Sequence, residues 1–278
     1  MLTVDAATIE AACRRAGLAE KPVGVHAALS TFGWVTGGGA TVVRGLRAAG
    51  CTVLTPAFSW SAYAIAPPPH LRPPRNGWDY GAFPRRLLWK LGQTRIFTPD
   101  SQAIDPEMGA LPAALLADPA RRRSIHALCS FAAVGPLAAS LTTGQSATNV
   151  FAPLRRLAAA DGWVVLMGVG LTRMTILHEA ERQAGRKLLR RWAYAPTGDA
   201  AMFAVGGCSE GFENLAPHLA HLERRITVGR CVWRIYPAQA TLDAASAAIR
   251  AQPELTHCAD RHCTRCRDTI AGGPRLAE

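Results

Sequence analysis

Apolar residues recur along this chain with two periods. Near the start, Ile9, Ala12, Cys13 and Leu18 fall on one face of a helix that Asp5 is placed to cap. Pro22 then leads into VGVHAAL, a short apolar run with strand character. TFGWVTGGG opens into ATVVRGLRAAG, a helix closed by Gly50, and CTVLTPAF is a second strand. Strand, glycine loop, helix and strand make a βαβ unit, which implies a parallel pair. MGALPAALLAD predicts a short helix, SIHALCSFAAVG a strand with its approach loop, and LRRLAAADG a helix ending at Gly162. WVVLM, closed by Gly168 and Gly170, has the unbroken apolar character of a strand buried on both faces. TILHEAERQAG is a helix directly after it. Beyond Trp192, AMFAVGG and CVWRIYP are strand-like and flank a helical stretch from about 210 to 223. TLDAASAAIRAQ is the last long helix.

This alternation predicts an α/β fold with a central, mostly parallel sheet flanked by helices. Residues 1–278 read as one domain, long enough to bury a core without disulfide or metal staples. Two segments depart from the pattern. Residues 60–107 form an irregular insertion containing Pro67, Pro68, Pro69, Pro73, Pro74 and Pro84, the kind of long loop that serves as a lid or faces a substrate. Residues 257–268 form a cysteine-rich tail. No apolar run approaches the roughly 18 residues of a membrane span. The first residues mix acidic and basic side chains instead of presenting a basic start and an apolar stretch, so a cytoplasmic protein without membrane contact is expected.

Charge narrows the partners. The net charge is +11, which favours anionic ligands. The arginines are scattered through helical segments, as at Arg121 to Arg123 and Arg190 to Arg191, with no aromatic-interleaved platform and no helix-turn-helix. No nucleic-acid partner is expected, whereas the phosphates of a nucleotide cofactor suit the balance.

Four groups of residues can carry chemistry. His178 and Glu181 lie three apart on the helix after the buried strand, hence on one face, just past the end of a parallel strand where open α/β sheets place their sites. A carboxylate there fixes one imidazole tautomer, although the same spacing also describes a solvated helix pair. In VHAALSTFGWVTGGG, His26 sits in an apolar strand, Ser30, Thr31 and Gly33 in the turn, and Gly37 to Gly39 at a helix start whose amides can hold phosphate or an oxyanion. It is neither a GxGxxG nor a P-loop. Ser124, His126 and Ser130 cluster at a strand entrance. In the tail, Cys258, Cys263 and Cys266 have C-x4-C-x2-C spacing, and His262 or His257 would complete a tetrahedral zinc set. Only one true CxxC is present, so free cysteines or a reversible disulfide are expected and a metal is not.

Joined together, these stretches resemble the aminoglycoside 3-N-acetyltransferase family, also called the antibiotic N-acetyltransferase family. The likeness rests on VGVHAALSTFGWVTGGG, on MGALPAALLADPARRRSIHALCSFAAVGP, on LRRLAAADGWVVLMGVGLTRMTILHEAE, and on CSEGF with the closing cysteines. It runs from about residue 20 to the tail. The resemblance implies the family's own α/β fold, acetyl-CoA as acetyl donor, and a small amine, by default an aminoglycoside, as acceptor. It places His178 on the catalytic histidine and Glu181 on its partner carboxylate. Ser30, Thr31, Gly33, Met108, Gly109 and Ser124 fall on segments lining the CoA channel, and His26 and His126 on two further histidines near the reacting centre. A monomer or homodimer is expected.

The chemistry agrees with those roles. An amine attacking a thioester becomes cationic and must lose a proton, which a histidine can accept. Donors around Ser30 and Thr31 would steady the oxyanion, and the leaving thiolate needs no strong acid, so direct transfer is expected. The chain also departs from the family. Ala27 and Ala28 stand where it has serines, Ala127 where it has proline, and Met174 where it has asparagine. Arg72, Arg75, Arg85, Arg86 and Lys90 crowd the insertion against Asp79, which suits a neutral or anionic acceptor better than a polycation. A metabolite amine as acceptor, or an idle CoA-binding relative, therefore remain alternatives.

Overall fold

The computed structural model describes residues 3–81, 95–270 and 272–276. Its strands are β1 (Thr3–Val4), β2 (Pro22–Ala27), β3 (Trp34–Val35), β4 (Thr52–Pro56), β5 (Arg122–Arg123), β6 (Phe131–Val134), β7 (Trp163–Met167), β8 (Leu189–Tyr194), β9 (Ala200–Val205), β10 (Arg224–Val228) and β11 (Cys231–Pro237). The main helices are α1 (Ala6–Arg15), α2 (Gly38–Ala48), α3 (Ala110–Ala117), α4 (Ala138–Thr142), α5 (Ala152–Ala159), α6 (Ile176–Gln183), α7 (Ala238–Ala251) and α8 (Thr264–Ile270). Among the described residues, no helix is long and apolar enough to cross a membrane.

Seven strands form the central sheet in the order β10-β11-β7-β2-β4-β6-β5. The expected parallel arrangement holds at its centre, where β2 pairs in parallel with both β4 and β7. It does not hold outward from there, and this corrects the expectation of a mostly parallel sheet. β10, β11, β6 and β5 all join antiparallel. The cause lies in the connections. β10 and β11 are linked by Gly229 and Arg230, with Gly229 at φ +61°, and so short a link can only return the chain antiparallel.

Alternation along the strands divides the interior into two layers. Val53, Ala132, Val134, Val165, Met167, Trp233 and Ile235 face α1, α2 and α3. Leu54, Phe131, Ala133, Val164, Leu166 and Tyr236 face α5, α6 and α7. Asp5 caps α1 as expected, its Oδ1 accepting from the Thr8 amide at 2.8 Å. α6 is tied to α5 by the buried Glu179, which accepts from Arg155 at 3.0 Å and from Arg182 at 2.7 and 2.8 Å.

Of the longer strands, β8 and β10 escaped the sequence pattern. β8 and β9 make a separate antiparallel hairpin on the α6 side, and β8 contains Arg190 and Arg191 where a strand pattern expects apolar residues. Arg191 is accommodated by the ring of Trp78, 4.5 Å from its guanidinium, and by the Asn76 carbonyl. β10 begins with Arg224 and Arg225, one of which covers the Trp163 ring at 4.0 Å. Long cationic side chains lying on aromatic faces hide strand character from a hydropathy reading.

The described part of the proline-rich insertion is pinned to the body. Asp105 accepts from the amides of Trp60 and Ser61 at 2.9 and 2.7 Å. The buried Arg123 donates to the carbonyls of Ala57, Ser101 and Ala103 at 2.6–2.9 Å. Arg72 donates to the Pro67 carbonyl and lies over Tyr80. Arg85, Arg86 and Lys90 lie outside the described residues.

α2 and α3 meet at their N-terminal ends. A Cβ on Gly39 would stand 2.4 Å from the Ala110 carbonyl oxygen and 3.1 Å from Ala114 Cβ. Backbone cannot yield as a side-chain tip can, so Gly39→Ala is expected to destabilise the protein by about 1–3 kcal/mol. The shift of the urea midpoint at unchanged slope measures it.

Candidate active site

β2 and β7 lie side by side in parallel, His26 opposite Leu166 and Ala27 opposite Met167. The loops that follow them therefore emerge at the same end of the sheet. From β2 comes the turn Leu29–Phe32, and from β7 the segment that leads through Met174 into α6. Gly168, at φ +70°, passes directly over Thr31, because a Cβ there would stand 2.0 Å from Thr31 Oγ1. Gly109, at φ +82°, brings the start of α3 to the Ala27 carbonyl, with its Cβ position 4.0 Å away. Open α/β sheets place their sites in a crevice of this kind.

His178 stands one turn into α6. Its Nδ1 is 2.9 Å from Glu181 Oε2. A carboxylate partner assigns the proton to Nδ1 and leaves the Nε2 lone pair available. Among the described residues Nε2 has no hydrogen-bond partner, and the side chain keeps 13% exposure. The ring is held on its flanks: Phe151 stacks at 5.9 Å with an interplanar angle of 10°, and Phe212 meets it at 4.7 Å. Gly206, just past β9, closes another side. A Cβ there would lie 2.6, 2.7 and 2.9 Å from Cδ2, Cγ and Nε2 of the imidazole.

Glu181 is fixed in turn. Its Oε1 accepts from Thr256 Oγ1 at 2.8 Å and from Arg186, which also reaches the Pro253 carbonyl. Both carboxylate oxygens are thus engaged, and the group is buried, with 5% side-chain exposure. Such an arrangement orients an imidazole as a proton acceptor. Phe151, Phe212, Gly206, Thr256 and Arg186 were not found by sequence reasoning. Phe212 lies in the CSEGF stretch that carries part of the family likeness, but no role was assigned to it there.

The other expected site residues separate into two groups. His26 ends β2 at this face. Burial first, then the nearby Arg173 charge, hold its pKa down to about 4. Ser30 has an exposed hydroxyl without a partner among the described residues, Gly33 turns the chain at φ +88°, and Met108 with Gly109 forms the entrance to α3. Thr31 is at the right place but spent: its hydroxyl donates to the Ala28 carbonyl at 2.7 Å and lies 3.2 Å from Cys231 Sγ, and its amide also goes to Ala28.

His126 and Ser124 differ from expectation. His126 is fully buried and bound only to backbone, Nε2 donating to the Ala204 carbonyl at 2.9 Å and Nδ1 accepting from the amides of Leu128 and Cys129 at 3.2 and 2.9 Å. It braces β9 two residues before Gly206 and offers no free nitrogen to a substrate. Ser124 is buried, and its hydroxyl accepts from the Phe131 amide at 2.8 Å, so it joins β5 to β6 and lines no channel. The apolar loop composition around both residues explains their burial. Met174, where the family carries asparagine, is likewise a core residue with no exposure.

In the tail, the structure gathers Cys258, Cys263 and Cys266 but replaces the expected His262. His262 is exposed, and the fourth group is Cys208, from beyond β9. All four are free thiols.

The family model described as aminoglycoside 3-N-acetyltransferase matches residues 25–250. Aminoglycoside N(3)-acetyltransferase III of Serratia marcescens is 33% identical over 257 residues, covering 80% of this chain and 89% of that protein. Two solved structures share the fold. Aminoglycoside acetyltransferase AAC(3)-IVa, as a histidine-to-alanine variant in complex with a gentamicin, superposes with a TM-score of 0.76 at 20% identity over 98% of each chain. AAC-IIIb, binary with CoASH, superposes with a TM-score of 0.70 at 23% identity over 90% of this chain and 98% of that one.

Two expectations follow from the geometry. Gly206→Ala pushes a methyl into the imidazole and should lower turnover by about 10–100-fold while the circular dichroism spectrum is unchanged; an unaltered rate would show that the ring has room to move. His126, whose pKa burial drives down to about 4 despite the opposing pull of its bond to Ala204, gives the second. Unfolded, it titrates near about 6.5. Between those values the unfolded chain binds a proton that the folded one refuses, so stability is fully present above about pH 6.5 and falls as pH drops towards about 4. His26 adds in the same direction. Urea midpoints measured across that window should decline, and less steeply in His126→Gln.

Proposed function

The chain belongs to the aminoglycoside 3-N-acetyltransferase family, and on that premise we propose that it transfers the acetyl group of acetyl-CoA to an amine of an aminoglycoside, at the 3-N position, with His178 as general base. The observation that carries this reading is the His178–Glu181 pair: one imidazole nitrogen is bound to a fixed carboxylate, and the other has no hydrogen-bond partner among the described residues on a side chain that keeps 13% exposure.

The steps follow from that arrangement. The acceptor nitrogen attacks the thioester carbonyl carbon, forming the C–N bond and an oxyanion. Nε2 of His178 takes the proton that the nitrogen must lose, and Glu181 stabilises the imidazolium. The C–S bond then breaks and coenzyme A leaves as a thiolate, which recovers a proton from the imidazolium or from water. No acyl-enzyme is required.

Acetyl-CoA suits the adjoining surface. α2 and α3 converge with neither start capped by a side chain and neither carrying an acidic residue in its first turn. Uncapped amides and the positive ends of two helix dipoles favour phosphate. Met108 and Gly109 lead directly into α3, and the overall charge of +11 has the same sign. CoASH in AAC-IIIb and the gentamicin in AAC(3)-IVa support the two ligand classes.

The test is free-thiol release from acetyl-CoA across a panel of aminoglycosides and simple neutral amino sugars, with mass spectrometry of the acceptor. Release that requires an aminoglycoside and adds one acetyl group to it is expected. Release only with the neutral amino sugars would favour the metabolite reading that the basic insertion suggests. Absence of release with every amine, while coenzyme A still binds, would overturn the proposal.

A further inference from the structure

The four cysteines at the end of the molecule have no part in the reaction above, yet they converge. The Sγ atoms of Cys208, Cys258, Cys263 and Cys266 all lie within 4.8 Å of one another, and those of Cys258 and Cys266 are 3.6 Å apart. Cys208 and Cys266 are buried and the other two half-buried. A tetrahedral ZnS4 centre with bonds of about 2.3 Å sets its sulfurs about 3.8 Å apart, which matches this spacing. A disulfide requires about 2.05 Å, well short of the 3.6 Å between the sulfurs of Cys258 and Cys266.

Arg261, Arg265 and Arg267 occur in the same stretch and offset the two negative charges that four thiolates retain around a divalent ion. The donor set is sulfur alone, without carboxylate, imidazole or an open position. That selects a soft, tetrahedral metal in a structural role.

We propose that Cys208, Cys258, Cys263 and Cys266 bind one zinc ion, and that this ion fastens the C-terminal segment to the wall of the His178 pocket. Two of the segments it joins bear on the pair, and the third reaches the insertion. Cys208 lies two residues after Gly206, which touches the imidazole. Cys258 lies two residues after Thr256, which donates to Glu181. Cys266 sits in α8, whose Asp268 accepts from the Gly77 amide at 2.6 Å and so reaches the proline-rich insertion. These segments have little regular structure to hold them together. Besides the sulfurs they share the close approach of Gly207 to Thr269, that of Gly211 to the Thr256 and His257 carbonyls, and the bonds from Asn214 to the Leu255 and His257 carbonyls at 3.0 and 3.3 Å. Each thiol gives up its proton as the metal binds, so affinity falls in acid.

The experiment is elemental analysis of the full-length protein purified under reducing conditions without chelator, then reconstituted with zinc or with cobalt(II). About one zinc per chain is expected, and the cobalt form should show intense thiolate-to-metal charge-transfer bands with the visible bands of a tetrahedral ion. Cys208→Ser should lose most of the bound metal and lower the melting temperature, while His262→Ala should keep both. Because Cys208→Ser can also fail by misfolding, the wild-type metal content and cobalt spectrum stand as independent readouts. A wild-type protein that holds no metal after reconstitution, a disulfide among these cysteines found by mass spectrometry, or full metal retention in a folded Cys208→Ser would each overturn the proposal. None of these readouts depends on acetyl transfer, so failure here is distinguishable from failure of the proposed activity.

Discussion

A single hydrogen bond, from Nδ1 of His178 to Oε2 of Glu181, gives the rest of the site its meaning. At 2.9 Å it decides which nitrogen carries the proton and which faces the crevice. It lasts only because the carboxylate is itself immobilised by Thr256 and Arg186. Arg186 is nearly buried, with 9% side-chain exposure. Removing Glu181 would leave that guanidinium uncompensated, at a cost of about 3–5 kcal/mol. Glu181 is thus a structural anchor, and substitutions there cost stability whatever they do to the rate.

Much of this architecture is constructed to keep one ring still. Phe151 comes from the start of α5, Phe212 from the segment before β10, Gly206 from the end of β9 and Thr256 from the stretch after α7. Each arrives from a different part of the sequence. α6 itself is fixed to α5 through Glu179 and its two arginines. On the other side of the sheet, α2 and α3 approach closely only because residue 39 lacks a side chain. The same closeness brings two uncapped helix starts to one edge.

How much of this was legible in the sequence depended on whether the signal was local. The βαβ start, the Asp5 cap, WVVLM and the i,i+3 spacing of His178 and Glu181 are all written in short windows, and all appear as expected. β8 and β10 were hidden because arginines that lie along aromatic rings look polar in a hydropathy pattern. The parallel character of the sheet was overestimated, since hairpin links at both flanks are weaker signals than the central βαβ unit. His126 was legible only as part of a polar cluster at a strand entrance, and the family likeness drew it towards the reacting centre. Cys208 could not be joined to the tail by spacing. Its position beside the other three sulfurs is a product of the fold, like the contacts of Gly206 and Thr256.

The most direct test of the central claim, that the free nitrogen of His178 accepts the proton during transfer, is chemical rescue. The acetyl-transfer rate of His178→Ala would be measured at saturating acetyl-CoA and aminoglycoside, with and without added imidazole. The account requires a loss of about 10²–10⁴-fold and partial recovery as imidazole enters the vacated space between Phe151 and Phe212. A variant that keeps its rate within about tenfold of wild type, below the range of general-base catalysis, would contradict it.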